Sequence, residues 1–99
     1  MTSQKAQLVA EQIVEICKRL HQRNMLAAAD GNISVRLSDS EILITPSGIA
    51  KGFMKPEQMA VINLNGDILS GKPSTERLMH LEIFKRCPKA HAVVHAHPP

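Results

Sequence analysis

Tryptophan and tyrosine are absent from these 99 residues and phenylalanine occurs only twice. Base stacking, the sequence-tolerant part of nucleic-acid binding, has almost nothing to work with. Blocks of charge are missing too. The 12 Lys and Arg against 9 Asp and Glu leave a formal net charge of +3, scattered from Lys5 to Lys89 and interleaved with acids. That balance argues against a nucleic-acid partner and is mildly favourable to a small phosphorylated substrate, with most lysines solvated on the surface. No apolar run reaches membrane length and no leader pattern is visible, so no membrane partner and a cytoplasmic location are expected. Cysteine is limited to Cys17 and Cys87. Both fall in helical patterns without short metal-ligand spacing, so packed thiols are expected rather than a disulfide or a ligand pair. Internal repeats, low-complexity tracts and a Gly-rich dinucleotide fingerprint are likewise absent. What remains, with 43% hydrophobic and 21% charged residues, is the composition of one soluble globular domain.

From Ser3 to about Arg23, Leu8, Val9, Ile13, Ile16, Cys17 and Leu20 recur at helical spacing between polar residues, predicting an amphipathic helix. A small-residue turn over 24–32 follows, containing Gly31 and Asn32. Ile33, Val35 and Leu37 then alternate with Ser34 and Arg36, and Ser38-Asp39-Ser40 turns the chain into Glu41-Ile42-Leu43-Ile44-Thr45, a hairpin pattern. Thr45-Pro46-Ser47-Gly48 closes the second strand with a loop of special shape. Lys55 to Met59 suggests one helical turn with proline at its start, followed by strand Ala60 to Leu64. Asn65-Gly66 is a strong hairpin signal leading into Asp67-Ile68-Leu69. A second helix is predicted from Ser74, its cap, with Leu78, Leu81, Phe84 and Cys87 along one side and Pro88 ending it. Ala92 to His97 reads as a buried strand. The order helix, two strands, two strands, helix, strand, with hairpins throughout, predicts an α/β layered domain with a largely antiparallel central sheet flanked by helices.

Three constellations carry chemical meaning. His95-Ala96-His97 places two imidazoles on one face of an extended strand, where both can reach one ion, although one ring in the core and one in water would explain the pair equally. A catalytic metal usually takes three protein ligands, and no later residue here supplies the third. Glu76 stands in the first turn of the second helix, as a dipole-favoured anion or as a carboxylate moving protons beside a metal. His80, one turn on, reads as a helix-surface histidine or a partner of Glu76. His91 reads as capping the last strand and His21 as a C-terminal dipole partner of the first helix. The loops Gly31-Asn32, Ser47-Gly48 and Ser74-Thr75 supply amides and hydroxyls, the last at a helix N-terminus suited to phosphate.

The segments Gly31 to Arg36, Leu43 to Gly48, Lys72-Pro73-Ser74-Thr75-Glu76 and Ala92 to Pro99 stand in the order of the class II aldolase/adducin family, which this chain resembles over nearly its whole length. The resemblance implies that Asn32, Ser47, Gly48, Ser74 and Thr75 bind a substrate phosphate. It makes His95 and His97 ligands of zinc or another divalent metal, and Glu76 the catalytic acid/base that also approaches the metal without substrate. It implies a metal-dependent aldolase cleaving a ketose 1-phosphate such as L-fuculose 1-phosphate to dihydroxyacetone phosphate and an aldehyde, working as a homo-oligomer. Alternatives are a sugar-phosphate epimerase or dehydratase of the same family, or a non-catalytic adducin-like interaction module. Family enzymes run beyond Pro99 and bring the third histidine there, so residues 1–99 are expected to be the N-terminal part of a single domain. Ser47 stands where some relatives have threonine and Thr75 where serine is frequent; both keep the hydroxyl.

Overall fold

The computed structural model describes residues 4–25 and 31–96. Helix α1 (Gln4–Gln22) precedes strands β1 (Asn32–Arg36) and β2 (Glu41–Ile44), 3₁₀ turns at Lys51–Phe53 and Pro56–Gln58, strands β3 (Ala60–Asn63) and β4 (Ile68–Ser70), helix α2 (Arg77–Arg86) and strand β5 (Ala92–His95). The strands form one sheet in the order β4-β3-β2-β1-β5. Every pairing is antiparallel, in agreement with the hairpin-rich sequence. Short turns make β1–β2 and β3–β4 hairpins; Gly66 adopts a φ of +91° in the second, a conformation that glycine reaches without a Cβ clash. The β1–β5 pairing is different, because it returns the end of the chain to its first strand, Asn32 opposite His95 and Val35 opposite Ala92.

Alternation on the strands gives the sheet two apolar faces, each covered by one helix. Ile33, Leu37, Leu43 and Val61 pack with Met54 and Met59 against Ala6, Ala10, Ile13 and Cys17 of α1. Ile42, Ile44, Ala60 and Ile62 pack on the other face against Leu81 and Phe84 of α2. Arg36 pins the end of α2: its Nε donates to the Ala90 carbonyl at 3.0 Å and its Nη2 to the Phe84 carbonyl at 3.1 Å. Its guanidinium carbon lies 4.9 Å from the Phe84 ring centroid, within cation–π range.

Several expectations are corrected. On α1 the small Ala6 and Ala10 are buried, letting the helix approach the sheet closely, while Leu8 and Ile16 are exposed and line a groove with Glu11, Gln12, Glu15 and Arg19. On α2 the buried stripe is His80, Leu81 and Phe84; Leu78 is 68% exposed and Cys87, at the helix C-cap, is an exposed thiol rather than a packed one. The Cys17 thiol is buried, and that burial raises its pKa to about 11, against a smaller opposing effect of Lys51. Lys51 itself is buried, with Nζ donating to the Ile49 carbonyl at 2.9 Å, unlike the solvated lysines expected. The last strand is an edge strand, not a buried one: Ala92 and Val94 are exposed while Val93 and His95 are half-buried. His91 is exposed, and its carbonyl accepts the Arg36 N–H at 2.8 Å. His21 does lie in the last turn of α1, edge-on to Phe53 with ring centroids 5.2 Å apart.

Candidate active site

The pairing of β1 with β5 and the approach of α2 to the sheet bring three sequence-distant side chains together. Asn32 and His95 are cross-strand partners at one end of the sheet, and Glu76 is the residue from which α2 starts. One carboxylate oxygen, Oε2 of Glu76, accepts from Asn32 Nδ2 and from His95 Nδ1, the latter at 3.0 Å. These two donors, Asn32 first, hold the Glu76 pKa below the ordinary carboxylate range against a smaller desolvation effect. The His95 and Glu76 side chains are 34% and 46% exposed, so both face solvent, whereas Asn32 behind them is buried. A carboxylate on one ring nitrogen is a common second partner of imidazoles that bind metals.

Behind Asn32 lies a buried pair that the sequence did not announce. His80 is fully buried instead of sitting on the helix surface, its Nε2 bonded to Asn32 Oδ1 and its Nδ1 to Ser34 Oγ. A signal was present: Glu76, His80 and Phe84 are spaced by four and therefore share one helix face, and Phe84 belongs to that face's core. Burial lowers the His80 pKa from 6.5 to about 4, an effect that Glu76 opposes and His95 reinforces. The unfolded chain therefore binds a proton that the folded one resists. Folding stability should fall as pH drops from about 6.5 towards about 4, the depressed Glu76 pKa adding loss at the acid end. Urea-unfolding midpoints between pH 7 and 4 check this; a midpoint that stays constant would contradict it.

The hydroxyl-bearing loops meet beside this cluster. Pro46 bridges to Pro73, the Ser47 N–H donates to the Lys72 carbonyl at 3.0 Å and the Ser74 N–H to the Thr45 carbonyl at 3.0 Å, so the segments around 47–48 and 74–75 run side by side. Buried Thr45 ties them to β1 through its Oγ1, which accepts the Ile33 N–H at 3.2 Å. Gly48 has a φ of +71°, and a Cβ built on it would meet nothing within 4 Å, so its backbone conformation rather than lack of room is what calls for glycine. Ser74 is buried and its Oγ accepts the Glu76 N–H at 3.1 Å, but it is not the helix cap that was expected. Helix α2 begins at Arg77 with Glu76 at its N-cap, so Ser74 braces the turn leading in and Glu76 stands ahead of the first helical turn rather than within it. Gly48 and Thr75 are exposed and Ser47 is half-buried, which leaves the loop surface open to a ligand.

Among the described residues no three His, Cys, Asp or Glu side chains are grouped to hold a metal ion. Glu76 and His95 are in contact at 3.0 Å as a pair only. His97 lies outside the described residues. No helix of the described residues is long and apolar enough to cross a membrane.

Residues 11–99 match the model of the Class II Aldolase and Adducin N-terminal domain. The chain is 38% identical over 86 residues to L-fuculose phosphate aldolase of Methanococcus maripaludis, covering 87% of this chain and 47% of that protein. It is 42% identical over 91 residues to methylthioribulose-1-phosphate dehydratase of Methylococcus capsulatus, covering 91% of this chain and 45% of that one. The solved structure of YgbL from Escherichia coli superposes with a TM-score of 0.90 at 34% identity, over 95% of this chain and 46% of its own. The chain thus spans about half the length of the relatives it matches. On the match over residues 11–99 and the similarity to these relatives, the chain belongs to the class II aldolase and adducin family.

Proposed function

We propose that this chain carries the phosphate-binding loops, the acid/base and part of the metal site of a lyase that cleaves a ketose 1-phosphate, such as L-fuculose 1-phosphate, into dihydroxyacetone phosphate and an aldehyde. The supporting observation is the Glu76 carboxylate, gripped by Asn32 and His95 at a solvent-accessible end of the sheet and flanked by the joined loops. On this reading Asn32, Ser47, Gly48, Ser74 and Thr75 hold the substrate phosphate, with the loop amides and hydroxyls as donors. The phosphate contacts fix the reacting carbons relative to Glu76. Glu76, open to solvent but held ionised, takes or returns the proton on carbon. The donor chemistry of His95 and Glu76 fits a divalent cation, zinc or another; with His97 they would hold it. Such an ion, when bound, supplies Lewis-acid stabilisation of negative charge developing on a substrate oxygen.

We further propose that residues 1–99 are the N-terminal part of a single domain, in keeping with the half-length match to relatives. The protein would act in the cytoplasm on a small phosphorylated sugar, without nucleic-acid or membrane partners. A homo-oligomer is favoured by Leu8 and Ile16 on the outer face of α1. Similarity to a dehydratase supports a second reading, in which the same residues serve elimination or epimerisation. Retention of His95 and Glu76 in bonding contact favours either enzyme over an adducin-like module.

The test uses the product of the gene that carries this sequence, incubated with candidate ketose 1-phosphates, with zinc added and then chelated. Metal-dependent release of dihydroxyacetone phosphate is expected. Conversion to a dehydrated or epimerised product supports the second reading, and no conversion of any such substrate rejects both. The module reading has its own check in equilibrium zinc titration: the His95→Ala, His97→Ala double variant should bind at least about tenfold more weakly than the parent, whereas equal binding would favour the module.

A further inference from the structure

The bonds from Ser34 through His80 and Asn32 to Glu76 can be given directions from charge alone. Ionised Glu76 accepts hydrogen bonds and cannot donate them. Asn32 must therefore turn its NH₂ towards Oε2, which leaves its carbonyl oxygen facing His80 Nε2. That oxygen needs a donor, so His80 must carry its proton on Nε2. A neutral imidazole then has a bare Nδ1, and the Ser34 hydroxyl, bonded to that nitrogen, must donate to it. The reverse assignment would press the Asn32 carbonyl oxygen against a carboxylate. Ser34 and His80 are fully buried and Asn32 nearly so, which removes water as a substitute partner and makes each broken link costly.

Resting on the lyase reading above, we infer that His80, locked by Ser34 in its Nε2–H tautomer, is a positioning residue that fixes the side-chain amide of Asn32 and through it the carboxylate of Glu76. The two ring nitrogens of His80 bond Ser34 and Asn32 and not Glu76. It acts by deciding which end of the Asn32 amide the carboxylate meets. Asn32 has a second N–H beyond the one given to Glu76, so the same orientation serves phosphate and acid/base together. A rotated amide would offer the carboxylate an acceptor and swing that carboxylate away from the reacting carbon.

Nitrogen-15 NMR of the imidazoles in the chain itself, without substrate, reads the tautomer directly. The expected result at pH 7 is a bare Nδ1 and a protonated Nε2 for His80, with Ser34→Ala giving a mixture. A protonated Nδ1 in the parent would overturn the inference whether or not the lyase reading holds. Side-chain substitution supplies the second arm, read in the gene product. Glutamine at 80 can place its NH₂ where Nε2–H was, so His80→Gln should keep kcat within about threefold. His80→Phe, which removes the donor, should lower kcat by about 10–100-fold with KM nearly unchanged and shift the Asn32 side-chain amide resonances. Equal losses in the two variants, or unmoved Asn32 resonances in His80→Phe, would overturn it. If the parent shows no turnover the lyase reading fails, and the tautomer and the Asn32 resonances still decide the positioning role.

Discussion

Glu76→Gln is expected to lower the release of dihydroxyacetone phosphate by about 10²–10⁴-fold, the range that a positioned general acid or base contributes. Glutamine keeps the length and one acceptor oxygen, so substrate binding should be spared and KM should change little. It cannot carry the proton, while its remaining oxygen can still accept from Asn32. Folding is a minor concern here. The side chain is 46% exposed, and the turn leading into α2 is braced by the bond from the Glu76 backbone N–H to Ser74 Oγ, which the substitution leaves in place. Single-turnover kinetics with saturating substrate checks the effect. A loss of less than about tenfold would remove Glu76 from the chemistry and return it to the ordinary role of an anion at a helix N-terminus.

The largest stability effect is expected at Phe84. Its ring is 1% exposed among Ile42, Ile44, Ala60, Ile62 and Leu81 and supports the Arg36 guanidinium from below. Truncation to alanine removes apolar burial and leaves a cavity, worth about 3–5 kcal/mol. Against a typical total of about 5–15 kcal/mol, that leaves a small domain partly unfolded or close to it. Leu78→Ala, on the same helix but 68% exposed, should change stability by no more than about 0.5 kcal/mol. Urea titration of the two variants against the parent separates these outcomes; similar midpoints for both would mean that α2 does not pack as described.

The layered antiparallel architecture was legible because its signals are local: period-two alternation in Ile33, Val35 and Leu37, the Asn65-Gly66 turn, and the prolines just past β2 and α2, Pro46 and Pro88. The Pro56 turn was legible for the same reason, whereas the start of α2 was placed too early, at Ser74 instead of Glu76. Which side of a helix is buried was harder, since spacing marks a face but not the depth of its neighbours. Leu8, Ile16 and Leu78 continue the apolar pattern and stay exposed, while alanines and a histidine take the inside positions. His80 escaped because a buried imidazole needs both nitrogens satisfied by partners 46 and 48 residues away, which no local pattern reports. The meeting of Asn32, Glu76 and His95 depends likewise on β5 pairing with β1, and the family's ordered motifs carried that expectation where periodicity could not.

That pairing couples assembly of the sheet to occupancy of the site. Among the described residues β5 is held to the rest of the sheet along one side, and seating it closes a long excursion of the chain, from Asn32 to His95. When the strand lifts, the imidazole departs from the carboxylate while the β1-to-β4 meander and both helices can stay in place. Any molecule that grips Glu76 and His95 at once must select the seated strand and, by mass action, act as its latch, so ligand binding should be read as slowed amide exchange along Ala92–His95.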